Sequence, residues 1–173
     1  ITGHGYPADT RKRPYMTSMS GMSPILSVVI PSSNSAEFLP RCLASLGDAK
    51  ANRVEVIVID NASVDRTPQI VEQYSQVVSR FVSERDRGQS DALNKGYAEA
   101  TGAFVCWLNS DDEFVPGALR RTARMLEGAD GDWYTAGMVW IDTQSRIIRC
   151  SPQLPHWSPL RQLGMTGVGG PSS

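Results

Sequence analysis

Residues 25–34 read ILSVVIPSSN and residues 54–65 read VEVIVIDNASVD. Each opens on a short apolar run rich in β-branched side chains, the pattern of a strand covered on both faces. Strands of that kind belong to parallel sheets packed between helices, so these two runs decide the fold class. Pro31 has no backbone N–H to give a ladder and is expected to end the first strand. Between the runs, Phe38, Leu39, Cys42, Leu43 and Leu46 recur at helical spacing, with Pro40 tolerated only in a first turn.

The alternation continues outward. Thr67 and Pro68 read as N-cap and first residue of a helix with Ile70, Val71, Tyr74 and Val78 inward. Residues 80–83 form a short third strand. Ser90 is expected to cap a helix with Leu93, Tyr97 and Ala100 inward, closed by Gly102. Residues 103–108, AFVCWL, form a fourth buried strand, with Trp107 in the core. Pro116 opens a helix with Leu119, Ala123 and Leu126 inward, ended by Gly128. Residues 132–141 and 145–150 read as two strands around Asp142-Thr143-Gln144. The expected fold is α/β, an open and mostly parallel Rossmann-like sheet with helices on both faces and right-handed crossovers.

Composition narrows the function. The 173 residues carry 17 Lys+Arg and 18 Asp+Glu, a net charge of −1, which argues against a nucleic-acid binder held by a basic surface. With 40% hydrophobic and 20% charged residues, a packed core is expected and wholesale disorder is not. No apolar run reaches the ~18–20 residues that span a membrane, and no signal-peptide pattern precedes the first strand. Cys42, Cys106 and Cys150 are far apart and odd in number, so they read as small buried side chains in a reducing compartment.

Residues 1–23 lack apolar periodicity and are expected to form a flexible N-terminal extension; His4 and the basic cluster Arg11-Lys12-Arg13 read as parts of a solvated tail. Residues 24–150 form the main domain, and residues 151–173 are Pro- and Gly-rich.

In open α/β sheets, ligands sit beyond the carboxyl ends of the strands. Here those ends carry Pro31 to Asn34, Asp60 to Asp65, Glu84 to Asp91, and Asn109 to Glu113. Loops are polar in any protein, and Asp65 or Ser90 alone fits a cap. Adjacent Asp111 and Asp112 fit that explanation poorly, because they repel unless a cation or ligand offsets them. Oxygen-only ligands suit Mg²⁺ or Mn²⁺ held jointly with substrate phosphates. No G-x-G-x-x-G and no P-loop follows the first strand, so phosphate is expected to be held through a metal. A free carboxylate at Asp60 is well placed to accept hydrogen bonds from a nucleoside.

Taken in order, LSVVIPSSN (26–34), VEVIVIDNASVDRT (54–67) and SERDRGQSDALNKGYAEATGAFVCWLNSDDEFVPGAL (83–119) resemble the family 2 glycosyltransferases of GT-A fold. The resemblance covers residues 25–127 continuously and 132–173 more loosely. It implies transfer of a sugar from a nucleotide-sugar donor, usually a UDP-sugar, with inversion at the anomeric carbon. It implies that residues 24–150 are a nucleotide-sugar-binding domain. Pro31 and Asn34 match the loop near the nucleoside, and Asp60 matches the aspartate on the base. Asp65 matches a loop-organising acid. Residues 86–94 match the stretch beside base and diphosphate, with Asp91 the most suggestive side chain. Residues 109–112 match the D-x-D region, with Asp111 and Asp112 as metal and diphosphate positions. Two residues depart from the pattern: Asn109 and Asn61 each stand where Asp is common, so Asn109 is placed beside the metal positions rather than in them, and the identity of the donor is left open.

The family's general base lies well past the D-x-D, and no acid follows Asp142 in this chain. The catalytic base is therefore expected beyond Ser173, with residues 151–173 starting an acceptor-side region that continues outside the chain. The implied acceptor is a saccharide or lipid-linked hydroxyl, in polysaccharide or glycoconjugate synthesis. The expected location is the cytoplasm, with peripheral contact at the inner membrane face left open. Arg120, Arg121 and Arg124 read as a solvated helix face, Lys95 and His156 as surface residues. Trp133, Trp140 and Trp157 read as core, with sugar stacking the alternative for the last two. Two rival functions stand beside the transferase: a truncated or degenerate module that binds nucleotide without turnover, and a sugar-phosphate nucleotidyltransferase, which would want a Gly- and Arg-rich first loop that PSSNSAEF does not supply.

Overall fold

The computed structural model describes residues 23–131, 134 and 136–150. The chain divides into two compact units after Ala129. The first holds a four-stranded parallel sheet of β1 (Leu26–Ser32), β2 (Val54–Asp60), β3 (Arg80–Ser83) and β4 (Phe104–Trp107), in the order β3-β2-β1-β4. Its helices are α1 (Leu39–Ala44), α2 (Thr67–Gln73), α3 (Gln89–Glu99) and α4 (Ala118–Glu127). The second unit holds an antiparallel pair, β5 (Val139–Ile141) and β6 (Ile147–Cys150).

Alternation along the strands sorts the apolar side chains into two cores. Val28, Ile30, Val56 and Val58 pack with Leu39 and Leu43 of α1, Ile70 of α2 and Leu119 of α4. Val29, Ile57 and Ile59 face the other way and pack with Ala92 of α3. Every residue of β1 is buried, and each buried aliphatic side chain contributes roughly 1.5–3 kcal/mol. The helices thus lie on both faces, as the apolar runs require.

Several local expectations change. β1 does not stop before Pro31: Pro31 pairs with Ile59 and Ser32 with Asp60. The Ser32 carbonyl accepts from Asn61 N, so the neighbouring Pro31 turns its N-H-less side away from β2, toward β4. β4 has already ended there, its last pair being Trp107 with Val29, so no ladder bond is lost. Thr67 is the first residue of α2 rather than its cap, and Asp65 Oδ1 takes the Thr67 N–H at 2.9 Å. Gly88 precedes α3 and Ser90 lies inside its first turn. Ala92 and Gly96 form the buried side of α3, with Leu93, Tyr97 and Ala100 packed beside it. A Cβ on Gly96 would fall 2.3 Å from Val29 Cγ1.

The fourth strand also differs. Phe104 and Cys106 pack into the larger core, whereas Val105 and Trp107 are 50% and 54% exposed. They share the face of Ser27 and Val29, which α3 covers over β1 and β2. Trp107 is therefore not a core residue of this unit. In the hairpin, the Asp142 carboxylate accepts from Gln144 N and Arg146 N, a backbone role for that residue. Trp140 is 43% exposed, with the Arg149 guanidinium 5.0 Å from its ring centre. Trp133, Trp157, His156, His4 and residues 11–13 lie outside the described residues, as do residues 151–173.

Candidate functional site

The strand order reverses between β1 and β4: the chain steps from β1 to β2 to β3, then crosses back to the far side of β1. The loops leaving β1 and β4 therefore part, and a crevice opens between them. An open cleft of about 580 Å³ lies there. From the first loop it is lined by Pro31, Ser32, Ser33 and Ser35, and from the second by Asn61. Asp86, Gly88 and Gln89 close one side, over Ala92 of α3. Asn109, Ser110 and Asp111 close the other.

Four loops form the rim, and side-chain hydrogen bonds tie each to the next. Asn34 N donates to Ser63 Oγ at 2.7 Å, and Val64 N donates to Asn34 Oδ1 at 3.1 Å. Asp86 N donates to Asn61 Oδ1 at 2.9 Å. Gln89 Nε2 donates to Asn109 Oδ1 at 2.7 Å. Ser35 and Ser110 hydroxyls meet at 2.9 Å, closing the ring. Beneath it, Asp65 Oδ2 accepts from Ala36 N at 3.0 Å. The Thr67 hydroxyl, followed by backbone N–H groups of Thr67 and Ala36, holds the Asp65 carboxyl below the usual aspartate range.

The residues singled out from sequence fall in different places. Pro31 and Asp111 line the cleft. Asn34 does not; it joins two loops at φ 48°. Asp60 is fully buried, and its carboxylate is not free. It accepts from the Ser63 hydroxyl, from Ser63 N at 2.9 Å and from the Ser83 hydroxyl at 2.7 Å. Its neighbour Asn61 takes the position on the cleft wall. Asp91 also stays outside the lining: Arg87 binds it at 2.8 Å through the guanidinium and at 3.2 Å through the backbone. That hydrogen bond is the main reason the Asp91 carboxyl sits below the usual range. Lys95 is held by Glu84 at 2.8 Å and by the Arg85 carbonyl at 2.9 Å, and is not among the lining residues.

The acidic loop has its own anchors. Ser45 Oγ of the α1 C-cap accepts from Phe114 N at 3.1 Å, and Cys42 Sγ donates to the Asn109 carbonyl at 3.6 Å. Burial, and then the carboxylates of Asp112, Asp111 and Glu113, push the Cys42 thiol up to about 12, so it stays a neutral donor. Asp112 does not line the cleft; Asn109 Nδ2 donates to its Oδ2 at 2.9 Å. Asp111 has no hydrogen bond or ion pair among the described residues.

Gln89 and Ser35 are cleft residues that sequence reasoning did not single out one by one, while Asp86 was named only as the start of a segment and Asn61 only as a departure from the family's pattern. Asn61 follows β2 directly, which is the available signal; Ser35, three residues past β1, and Gln89 have none, because their roles depend on the crossing of β4. The lining contains two carboxylates, Asp86 and Asp111, and no Lys or Arg. Among the described residues no three His, Cys, Asp or Glu side chains converge on one point. A divalent cation at this cleft would thus have Asp111 and ligand oxygens as donors, a set that suits Mg²⁺ or Mn²⁺ with phosphates. The Ser32 hydroxyl is a buried side-chain oxygen without a partner among the described residues, an unmet group of the kind that costs about 1–3 kcal/mol.

A family model described as glycosyl transferase family 2 matches residues 27–164. The succinoglycan biosynthesis protein ExoO of Rhizobium meliloti is 35% identical over 108 residues, covering 62% of this chain and 30% of that protein. A PGL/p-HBAD biosynthesis glycosyltransferase of Mycobacterium tuberculosis is 33% identical over 128 residues, covering 72% and 48%. The chain spans less than half the length of each. Among solved structures, S. aureus TarS 1-349 in complex with UDP-GlcNAc superposes with a TM-score of 0.54 at 30% identity, covering 59% of this chain and 31% of TarS.

Proposed function

This chain belongs to the family 2 glycosyl transferases, and on that premise we propose that its cleft is the donor site of a metal-dependent, inverting sugar transfer. The donor in this reading is a nucleotide-sugar, a UDP-sugar by the likeness to TarS in complex with UDP-GlcNAc. The acceptor is a hydroxyl of a growing saccharide or lipid-linked glycan, as the names of relatives in polysaccharide and glycolipid synthesis suggest. Residues 24–150 are the donor-binding part in this reading.

The observation that carries the proposal is the charge of the cleft. A nucleoside diphosphate brings two or more negative charges into a lining that already has Asp86 and Asp111 and no cationic side chain. Like charges at such distances exclude each other unless a cation intervenes. Asp111, unpaired among the described residues, is the group to hold it, and Mg²⁺ or Mn²⁺ there would offset the charge that develops on the leaving diphosphate.

The chain's own residues supply shape and order. The tied loops fix the walls before the donor arrives, so little ordering entropy is lost on binding. Asn61 and the Asp86–Gln89 turn flank the side of the cleft toward β3, opposite Asn109 to Asp111, and so take the nucleoside in this reading. Pro31 and Ser32 form the floor between them. With the diphosphate at Asp111, the anomeric carbon faces out of the crevice, and the acceptor hydroxyl attacks from the side opposite the diphosphate. No general base is assigned to the described residues.

Titration calorimetry of UDP with and without Mn²⁺ tests this. The expected result is at least about tenfold tighter binding with Mn²⁺, or ~1.4 kcal/mol, lost in Asp111→Ala. Equal binding with and without the ion would sink the metal assignment. Release of GlcNAc from UDP-GlcNAc separates a transferase from a module that only binds nucleotide.

A further inference from the structure

The turn that carries the acidic pair is closed twice. Asp112 N donates to the Asn109 carbonyl at 3.0 Å, and Asn109 Nδ2 donates to Asp112 Oδ2 at 2.9 Å. Because an ionised carboxylate only accepts, Asn109 must present its NH₂ to Asp112. Its Oδ1 is then left for Gln89, whose NH₂ donates at 2.7 Å from the start of α3. The polarity of the whole relay, from Gln89 to Asn109 to Asp112, is therefore fixed by the carboxylate at its end. Asn109 can donate on one side and accept on the other, which neither Asp nor a hydrophobic residue could do. Asp112 stays off the cleft lining and Asp111, between them in the turn, lies on it.

We propose that Gln89 and Asn109 are positioning residues that hold Asp112 away from the cleft, so that a divalent cation meets Asp111 as its one protein carboxylate. The proposal rests on the nucleotide-and-metal reading above and assigns the relay a task within it. A site with one carboxylate holds Mg²⁺ or Mn²⁺ weakly without phosphate oxygens. The cation then arrives with the diphosphate and leaves with it, and the cleft does not fill with a metal that blocks product release. A second carboxylate swung into place would strengthen the bare metal site and weaken that coupling. A turn that needs Asn at its first position would explain the Asn109–Asp112 bond alone; it does not explain why Gln89 fixes the amide from another loop.

Mn²⁺ alone, without nucleotide, is the probe, followed by the electron paramagnetic resonance signal of the free ion. Gln89→Glu is nearly isosteric but cannot donate. It would draw the Asn109 NH₂ to itself, turn Oδ1 toward Asp112 and release that carboxylate. Gln89→Glu is expected to bind Mn²⁺ about fivefold more tightly than the unaltered protein, a change of ~1 kcal/mol. Gln89→Ala, with no added charge, frees Asn109 Oδ1 from its anchor without drawing the NH₂ from Asp112, and is expected to gain less, about two- to threefold. The gain should disappear in Gln89→Glu combined with Asp112→Asn, which shows that it comes through Asp112. Asp112→Asn alone still accepts from Asn109 and should match the unaltered protein within about twofold. Asp111→Asn should abolish binding. No gain in Gln89→Glu, a gain that survives Asp112→Asn, or Asp112→Asn weakening Mn²⁺ binding as Asp111→Asn does would each overturn the relay. Failure of the functional reading appears elsewhere, as UDP binding that ignores Mn²⁺ in the unaltered protein.

Discussion

Ala62 holds a left-handed backbone, φ 46°, just past the end of β2, where its N–H also donates to the Asp60 carbonyl at 2.9 Å. An L side chain there costs about 1–2 kcal/mol, part of which glycine would return as lost chain entropy. Ala62→Gly is therefore expected to stabilise the protein by about 0.5–1 kcal/mol, or roughly 2–4 °C in melting temperature. A thermal melt checks it, and a lower midpoint would refute the strain. Side chains near this turn also mark where sequence reading stops. That Asp60 follows a buried run was legible, and it placed the residue at a strand end. That Ser63 and Ser83 would turn inward to occupy its carboxylate was not, because both are small polar residues that sit as well on a surface. Asp91 misled in the opposite way: its acidity near a helix start suggested a ligand contact, but Arg87 four residues earlier takes it.

Among the elements, α3 depends most on a single close approach. Gly96 brings the helix onto Val29 and Ile59, whose nearest atoms would lie 2.3 and 3.2 Å from an added Cβ. Gly96→Ala raises helix propensity on paper, yet is expected to destabilise the fold by about 1–3 kcal/mol through overpacking. Urea denaturation measures it; a stabilised variant would show that α3 rides higher over the sheet. Because Gln89 begins this helix, the same variant should also disturb the rim bond to Asn109. Strands β1 to β4 were readable from their apolar runs, and α4 from Leu119, Ala123 and Leu126. The approach of α3 was not, since apolar spacing pointed to Leu93, Tyr97 and Ala100, while the sheet selects the smaller Ala92 and Gly96. Pro31 shows the same limit. A proline rule that holds inside a sheet lapses where the neighbouring strand has stopped, and only the register shows where that is.

Across the whole molecule, the sheet is covered unevenly. α3 lies over β1 and β2, and leaves Val105 and Trp107 of β4 half exposed on that face. Val105→Lys is expected to cost under about 0.5 kcal/mol, as surface changes do, whereas Ile59→Lys, on the same face under α3, should prevent folding by burying an unpaired charge. Circular dichroism and urea titration of the two variants compare them; a strongly destabilised Val105→Lys would mean that this face is covered. Six apolar residues in a row (AFVCWL) predicted full burial because sequence shows a strand's composition and not its rank in the sheet. The strand order and the cleft at its reversal were beyond the sequence for the same reason.

The closed ring of loop-to-loop hydrogen bonds has a consequence for anyone who would redesign the cleft. Asn34 with Ser63, Asn61 with Asp86, Gln89 with Asn109 and Ser35 with Ser110 are four partnerships that each span two loops. Transplanting one loop from a relative severs two of them at once and leaves the orphaned partners to be re-solved by the neighbours. Variant libraries built loop by loop would thus be dominated by frustrated combinations. Libraries that randomise the four pairs, each as a single unit, sample the cleft along the coordinates in which its rim can change.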